Sequence, residues 1–221
     1  GKPTRPGAYL TSIDVTGDMV AANDDEIAGS VGSFGVMSRA VLLNGVLEDV
    51  SFEGSITAAD SLADGPLRIG GLVWRLQDGG TLRQGRFTGD ITLDSGAFTE
   101  VGGLVQEVKE GCLIEESVFD GTITADGGIG GLVSDLKGVV RNSRAIGTLE
   151  RLGGTPTVDD VGGIAWRGLG SFGDAGTSCA VETSYVDLTI PDADTEPAVA
   201  SFGCNVSNFA YGEAAGPDSM Y

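Results

Sequence analysis

The 221-residue chain predicts an all-β protein, a single right-handed parallel β-helix (β-solenoid) of about six imperfect coils with 28–40 residues per coil. Three observations predict it. A Gly-Gly-Leu-Val phrase recurs along the chain, a second apolar phrase keeps step with it, and hydrophobicity between them alternates with the period of two that marks short strands.

The first phrase is Ile69-Gly70-Gly71-Leu72-Val73. It returns as Val101-Gly102-Gly103-Leu104-Val105, Ile129-Gly130-Gly131-Leu132-Val133 and Val161-Gly162-Gly163-Ile164-Ala165. Weaker copies flank these, Ser33-Phe34-Gly35-Val36 before and Ser201-Phe202-Gly203-Cys204 after. With the second Gly as anchor, positions 35, 71, 103, 131, 163 and 203 are spaced by 36, 32, 28, 32 and 40 residues. The glycine pair is expected at a sharp corner, where glycine supplies positive φ and lets backbones approach closely.

The second phrase is Phe52-x-Gly54-x-Ile56, repeated as Phe87-x-Gly89-x-Ile91 and Phe119-x-Gly121-x-Ile123. Ala145-x-Gly147-x-Leu149 follows it loosely, Val15-x-Gly17-x-Met19 opens the series, and Tyr185-x-Asp187-x-Thr189 closes it. Seven residues before each anchor stands another apolar column, Leu10, Leu47, Leu82, Ile114, Val140 and Ala180. Beside it Glu48, Arg83, Glu115 and Arg141 alternate in sign, as stacking in register favours. No single coil buries its apolar face alone, so each must stack on the next. At about 4.8 Å per rung, six coils make a rod on the order of 30 Å long.

This division gives an N-terminal first coil or cap at 1–32, the coils proper at 33–200, and a C-terminal partial coil or cap at 201–221. Unit length varies in one place, after the Gly-x-Ile strand, in segments 58–68, 93–100, 125–128, 151–160 and 191–198. Insertions at one position of a solenoid protrude from one edge, which makes these Asp-, Gly-, Ser- and Pro-rich loops the predicted binding edge or simply solvated connectors.

Thirty-two acidic against 13 basic residues give a net charge of −19, with no histidine. Such a surface repels nucleic acid and anionic membranes. Lys occurs only at Lys2, Lys109 and Lys137, and an acid-rich, Lys-poor surface suits a marine or halophilic source, where salt screens self-repulsion. Hydrophobic residues at 41% recur in register, so the acidity does not signal disorder. No apolar stretch approaches the ~18 residues of a membrane span. The opening Gly-Lys-Pro-Thr-Arg-Pro-Gly has neither an initiator Met nor an apolar segment and is read as the start of a processed chain, with any signal peptide outside it.

Gly102-Gly103-Leu104-Val105 through Ser117-Val118-Phe119-Asp120-Gly121 resembles the GLUG-motif repeats of exported bacterial and archaeal surface proteins. The resemblance covers residues 33–190. It departs where the family has Gly after Leu-Val, since Trp74, Gln106, Ser134 and Trp166 stand there. It implies a β-solenoid segment of a larger secreted or cell-surface protein, such as an adhesin, and carries no catalytic residues.

Candidate sites are few. Asp192, Asp194 and Glu196 have the alternating spacing of a calcium loop, but Pro197 replaces the turn glycine. Asp94 and Asp126 occupy equivalent positions in adjacent coils and form a second calcium candidate. Of three cysteines, Cys179 and Cys204 are a candidate disulfide, with three buried thiols as the alternative. Asn205-Val206-Ser207 is a glycosylation sequon. Trp74 and Trp166 could form an aromatic binding strip or cover a corner. Gly168-Leu169-Gly170-Ser171-Phe172-Gly173 spells a dinucleotide motif without the helix that must follow it. The acid clusters Asp159-Asp160 and Asp24-Asp25-Glu26 lack a basic partner for polysaccharide cleavage. The expected function is therefore a non-catalytic extracellular structural or adhesive module without cofactor. It would bind a cell-surface glycan or protein, or copies of itself by end-to-end stacking. Alternatives are a self-assembling subunit of a filament, sheath or viral appendage, and a polysaccharide-cleaving β-helix enzyme.

Overall fold

A computed structural model describes residues 7–21, 33–41, 44–58, 67–94, 99–152, 161–168, 179–189, 205–207 and 210–211. These residues are all-β, without helix. The first unit runs β1 (Tyr9–Thr16), β2 (Met19–Ala21), β3 (Ser33–Gly35) and β4 (Ser38–Val41). The second runs β5 (Val46–Glu53), β6 (Ile56–Ala58), β7 (Leu67–Gly70) and β8 (Val73–Leu76). In the third, one long strand, β9 (Thr81–Leu93), replaces the first two and is followed by β10 (Thr99–Gly102) and β11 (Val105–Val108). The fourth has β12 (Leu113–Glu115), β13 (Val118–Ala125), β14 (Gly128–Gly130) and β15 (Val133–Leu136). The fifth has β16 (Val139–Arg141), β17 (Arg144–Arg151), β18 (Val161–Gly162) and β19 (Ala165–Gly168). Then follow β20 (Ala180–Glu182), β21 (Tyr185–Thr189), β22 (Asn205–Ser207) and β23 (Ala210–Tyr211).

The strands form three sheets in which every unit pairs with its neighbours in sequence. The second sheet has the order β18-β14-β10-β7-β3 and the third β19-β15-β11-β8-β4, while the 13-stranded first sheet gathers the remainder. All pairs are parallel, as at β13 with β9, where Phe119 faces Phe87, Gly121 faces Gly89 and Ile123 faces Ile91. The apolar columns read from the sequence are the core: Leu47, Leu82, Ile114 and Val140 are buried, as are Ile56, Ile91, Ile123 and Leu149. Phe52, Phe87 and Phe119 stack through it with ring centroids 5.2 and 5.6 Å apart.

The Gly-Gly corner joins the second sheet to the third, but not by positive φ. None of Gly70, Gly71, Gly102, Gly103, Gly130 or Gly131 adopts it. Close approach is the reason for glycine here: a Cβ on Gly102 would lie 1.9 Å from the Val105 carbonyl oxygen, and one on Gly103 would lie 2.2 Å from that of Gly131. The backbone ladder continues around the corner, with the Leu104 and Val105 N–H groups both donating to the Leu132 carbonyl. Positive φ belongs instead to the second phrase, at Gly17, Gly54, Gly89 and Gly147 (φ 133, 153, 130 and 122).

The register corrects the two ends of the sequence alignment by one residue. Gly35 pairs with Gly70, the first glycine of its pair, and not with Gly71. Met37 then takes the place of Leu72, to whose carbonyl its N–H donates, and Val36 and Met37 pack against the core. A lone glycine fits either register in sequence, and the tie is broken by packing. In the last unit Val140 pairs with Val181, not Ala180, and Ala145 with Val186, not Tyr185. Val181, Val186 and Leu188 are buried while Asp187 is exposed, because a one-residue slip would turn every side chain to the opposite face. The supposed glycine copy at 201–204 lies outside the described residues. It precedes β22, which pairs with β20 in the first sheet and not with any strand of the third.

A second bend divides the first sheet within each unit, at Ser12, Asp49, Gln84, Glu116, Asn142 and Thr183. All six are left-handed, with φ between 47 and 57. Behind this bend runs a buried serine ladder. The Gly85, Ser117 and Ser143 N–H groups donate to the Oγ atoms of Ser117, Ser143 and Ser184 in the following unit. Each of these hydroxyls donates to the carbonyl two residues back in its own unit. The ladder supplies hydrogen bonds where the turned backbone interrupts strand pairing.

Candidate functional site

The densest chemistry lies on the outer side of the Gly-Gly corner. Parallel pairing sets Arg75, Glu107, Asp135 and Arg167 in one column of the third sheet. In the second sheet it sets Arg68 beside Glu100. The corner folds the two sheets toward each other, so their outer side chains converge. Gln106 Nε2 donates to Glu100 Oε2 at 3.1 Å and lies 3.4 Å from Asp135 Oδ2. Arg167 grips both carboxylates: Nε donates to Asp135 Oδ1 at 2.7 Å, and Nη2 reaches Asp135 Oδ2 at 3.2 Å and Glu100 Oε1 at 3.0 Å. Arg68 Nε donates to Glu100 at 2.8 Å. Glu107 receives Arg75 at 2.5 Å, Lys109 in a short contact, and Lys137 at 4.0 Å.

Three carboxylates are thus enclosed by five cations, a local excess of positive charge on a chain of net −19. Burial pushes the Asp135 carboxyl above its ordinary value; Arg167 opposes this, and Glu100 and Glu107 add to it. Burial also pushes Glu107 upward, but the Lys109 hydrogen bond and the charges of Arg75 and Lys109 outweigh it and leave the group below its ordinary value. Glu100 and Asp135 could serve chemically as an acid/base pair only if substrate displaced Arg167, since both residues are less than a tenth exposed. As it stands, the arrangement is an ionic brace across the corner.

Trp74 and Trp166 border this cluster. Arg75 lies over the Trp74 ring, 4.0 Å from its centroid, and Arg167 over that of Trp166 at 3.8 Å. The Trp166 ring also packs on Gly128, where a Cβ would come within 2.1 Å of it. Trp166 is only 7% exposed, whereas Trp74 is partly exposed.

On the first sheet the alternating column forms as expected. Glu48 pairs with Arg83, Arg83 with Glu115, and Glu115 with Arg141. Arg83 reaches Glu48 at 3.3 Å and Glu115 at 3.1 Å, and Arg141 reaches Glu115 at 2.8 Å. The Arg141 hydrogen bond leads in holding the Glu115 carboxyl below its ordinary value, with Arg83 assisting. The register carries the alternation one rung further, to Glu182.

Asp94 and Asp126 follow the paired Leu93 and Ala125, as their equivalence requires. Among the described residues no group of three or more His, Cys, Asp or Glu side chains could hold a metal. Asp192, Asp194 and Glu196 lie outside the described residues, as do Asp159-Asp160, Asp24-Asp25-Glu26 and most of the dinucleotide-like stretch. Cys179 is buried and disulfide-bonded, Cys112 is a buried free thiol whose pKa burial raises, and Cys204 lies outside the described residues. Asn205 begins β22.

The sequence reading missed the brace. Its signal was available, since Arg75, Glu107, Asp135 and Arg167 each stand two residues after the last residue of a Gly-Gly phrase. No family model matches the chain, and no curated protein matches it in sequence.

Proposed function

We propose that the chain is a right-handed β-solenoid rod that serves a secreted or cell-surface protein as a non-catalytic structural or adhesive module. The observation that carries this reading is the in-register pairing of equivalent residues from unit to unit in all three sheets. Parallel strands linked by crossovers are right-handed in about 98% of cases, which supplies the hand. The charged side chains of the brace support a scaffold role, because each buried carboxylate is already held by a cation. Export is supported by the disulfide at Cys179. Cys204 is its natural partner, since the residues that follow, Ala180 and Asn205, are paired in adjacent parallel strands. Strands about 4.8 Å apart suit a disulfide's Cα separation. The unit-length variation places the ligand-facing surface on the edge loops, where a glycan or protein of the cell surface would dock.

A crystal structure tests the fold, and coils stacked about 4.8 Å apart around one core are expected. Incubation with a panel of acidic and neutral polysaccharides tests the function: retention on a surface glycan without new reducing or unsaturated ends supports the module. Appearance of such ends would replace this reading with a polysaccharide-cleaving enzyme.

A further inference from the structure

The first unit differs from all later ones. Tyr9, Leu10, Val15 and Val20, at 57, 49, 36 and 66% exposure, are the exposed large hydrophobics among the described residues, and all four lie in β1 and β2. They are not scattered. Leu10 and Val15 pair with Leu47 and Phe52, each only 3% exposed. Ile13 and Met19 pair with Val50 and Ile56, which are buried. Two core columns therefore reach this end still in solvent. Among the described residues β1 pairs with β5 alone, so one of its hydrogen-bonding edges has no strand beside it. Parallel strand edges backed by apolar columns are templates for a further strand.

The opposite end carries a rung of matching phase. β22 and β23 pair with β20 and β21, placing Val206 opposite Val181 and Tyr211 opposite Val186. Val206 and Tyr211 are five residues apart, as are Leu10 and Val15. Laid parallel on β1, this rung would set Val206 on Leu10, Tyr211 on Val15 and Ser207 on Thr11. The charge column would continue through two uncharged residues. We infer that the β1 edge docks the β22–β23 edge of a second copy, head to tail and in parallel register, with each rod continuing the stack of the next. This rests on the rod reading above and adds its partner.

Electrostatics sets the condition for docking. Residues 1–66 carry ten acids against three bases, and residues 169–221 carry eight acids and no base. Two acidic ends repel at low ionic strength. Screening shortens the Debye length from about 10 Å at 0.1 M salt to about 3 Å at 1 M, leaving the apolar contact to act. A heterologous contact of this kind does not close on itself, so it yields linear chains of growing length.

Sedimentation velocity of the full chain over a range of NaCl concentrations tests this directly. A monomer is expected at low salt, with elongated oligomers and an association constant at least about tenfold higher at 1 M NaCl than at 0.1 M. Leu10→Lys with Val15→Lys should abolish the oligomers, whereas Glu110→Gln, on an exposed turn, should leave them. Should the double variant melt early, Leu10→Lys alone, at the more exposed of the two positions, serves in its place. Monomers at every salt and protein concentration would overturn the inference, as would oligomers indifferent to the β1 substitutions. A monomer that never associates but whose crystal structure keeps the stacked coils removes the docking alone. A crystal structure without stacked coils removes the rod reading as well.

Discussion

The ladder Glu48–Arg83–Glu115–Arg141 on the first sheet and the brace Glu100–Glu107–Asp135–Arg167 at the Gly-Gly corner are built from similar materials. Both align carboxylates and arginines by parallel pairing. The ladder alternates strictly, so each charge lies between opposites, and the carboxyl of Glu115 is drawn down by two arginines. The brace places Glu107 directly beside Asp135, like against like, and offsets the repulsion with Arg75 and Arg167 at the two ends of that column and with further cations from outside it. Lys109 and Lys137 answer Glu107, Arg167 answers Asp135, and Arg68 relieves Arg167 of part of Glu100. Burial then pushes Asp135 the opposite way from Glu115. A column of alternating sign is self-sufficient, whereas one with adjacent like charges depends on its supporting cations.

Removing Arg167 should therefore break the comparison most strongly. Arg167→Ala leaves Asp135 with the Gln106 amide and Glu100 with that amide and Arg68, and it strips the cover from Trp166. Breaking a buried pair costs roughly 3–5 kcal/mol, and because the arginine is 40% exposed the lower end, about 3 kcal/mol, is expected in denaturant unfolding. The sign with pH follows from Asp135. Its folded pKa lies above the unfolded value, so its ionisation weakens the fold as pH rises through that interval. Without Arg167 this penalty grows, and the deficit of the variant should shrink as pH is lowered. A deficit independent of pH would show that lost packing on Trp166, not charge, is the cause.

Next in size is the hydrogen-bond support behind the ladder. Ser143→Ala leaves the buried Ser117 N–H without its acceptor at 3.1 Å, an omission that costs about 1–3 kcal/mol. Ser184→Ala removes a longer bond, 3.4 Å to the Ser143 N–H, and should cost less. Equal effects would mean that side-chain volume, not the N–H acceptor, matters at this bend. The bend also offers a gain. Thr183 holds a φ of 47, unfavourable for a β-branched residue and exposed to solvent. Thr183→Gly should raise stability by about 1 kcal/mol, read as an increase in melting temperature.

These regions also mark what could be read from the sequence. The ladder was legible because its charges keep a fixed offset from Gly54, Gly89, Gly121 and Gly147, and period-two alternation makes such offsets equivalent to stacking. The brace was not, because half of it comes from a different strand: Glu100 precedes the corner and Gln106 follows it, and only the fold of the corner brings them to 3.1 Å. The left-handed bend was hidden for another reason. Ser, Asp, Gln, Glu, Asn and Thr occupy it in turn, so no single residue type announces the conformation. Where the alignment slipped, at Gly35 and Tyr185, the degraded phrases lacked a second feature to fix phase. At the C-terminal end the charge ladder would have served, since Glu182 and not Val181 continues it opposite Arg141.

The smallest effect is expected in the ladder itself, and it separates the two regions by salt as well as by pH. Glu115 lies between Arg83 and Arg141, whose side chains are 40 and 42% exposed. Its pairs are consequently open to water and counterions, and Glu115→Gln should cost about 1 kcal/mol or less at low salt. Its folded pKa lies below the unfolded value, so the contribution is present above the ordinary carboxylate range and is lost as pH falls through the folded pKa. That is the reverse of the trend at Asp135. Raising NaCl should erase most of the Glu115→Gln difference while leaving more of the Arg167→Ala deficit. The arginines are equally exposed in the two regions, but Asp135 is governed by desolvation, which salt does not screen, and Glu115 by its arginines. Melting curves of both variants at low and high salt measure the two responses together. If they fall in parallel with salt, the brace is as open to solvent as the ladder, and burial no longer distinguishes them.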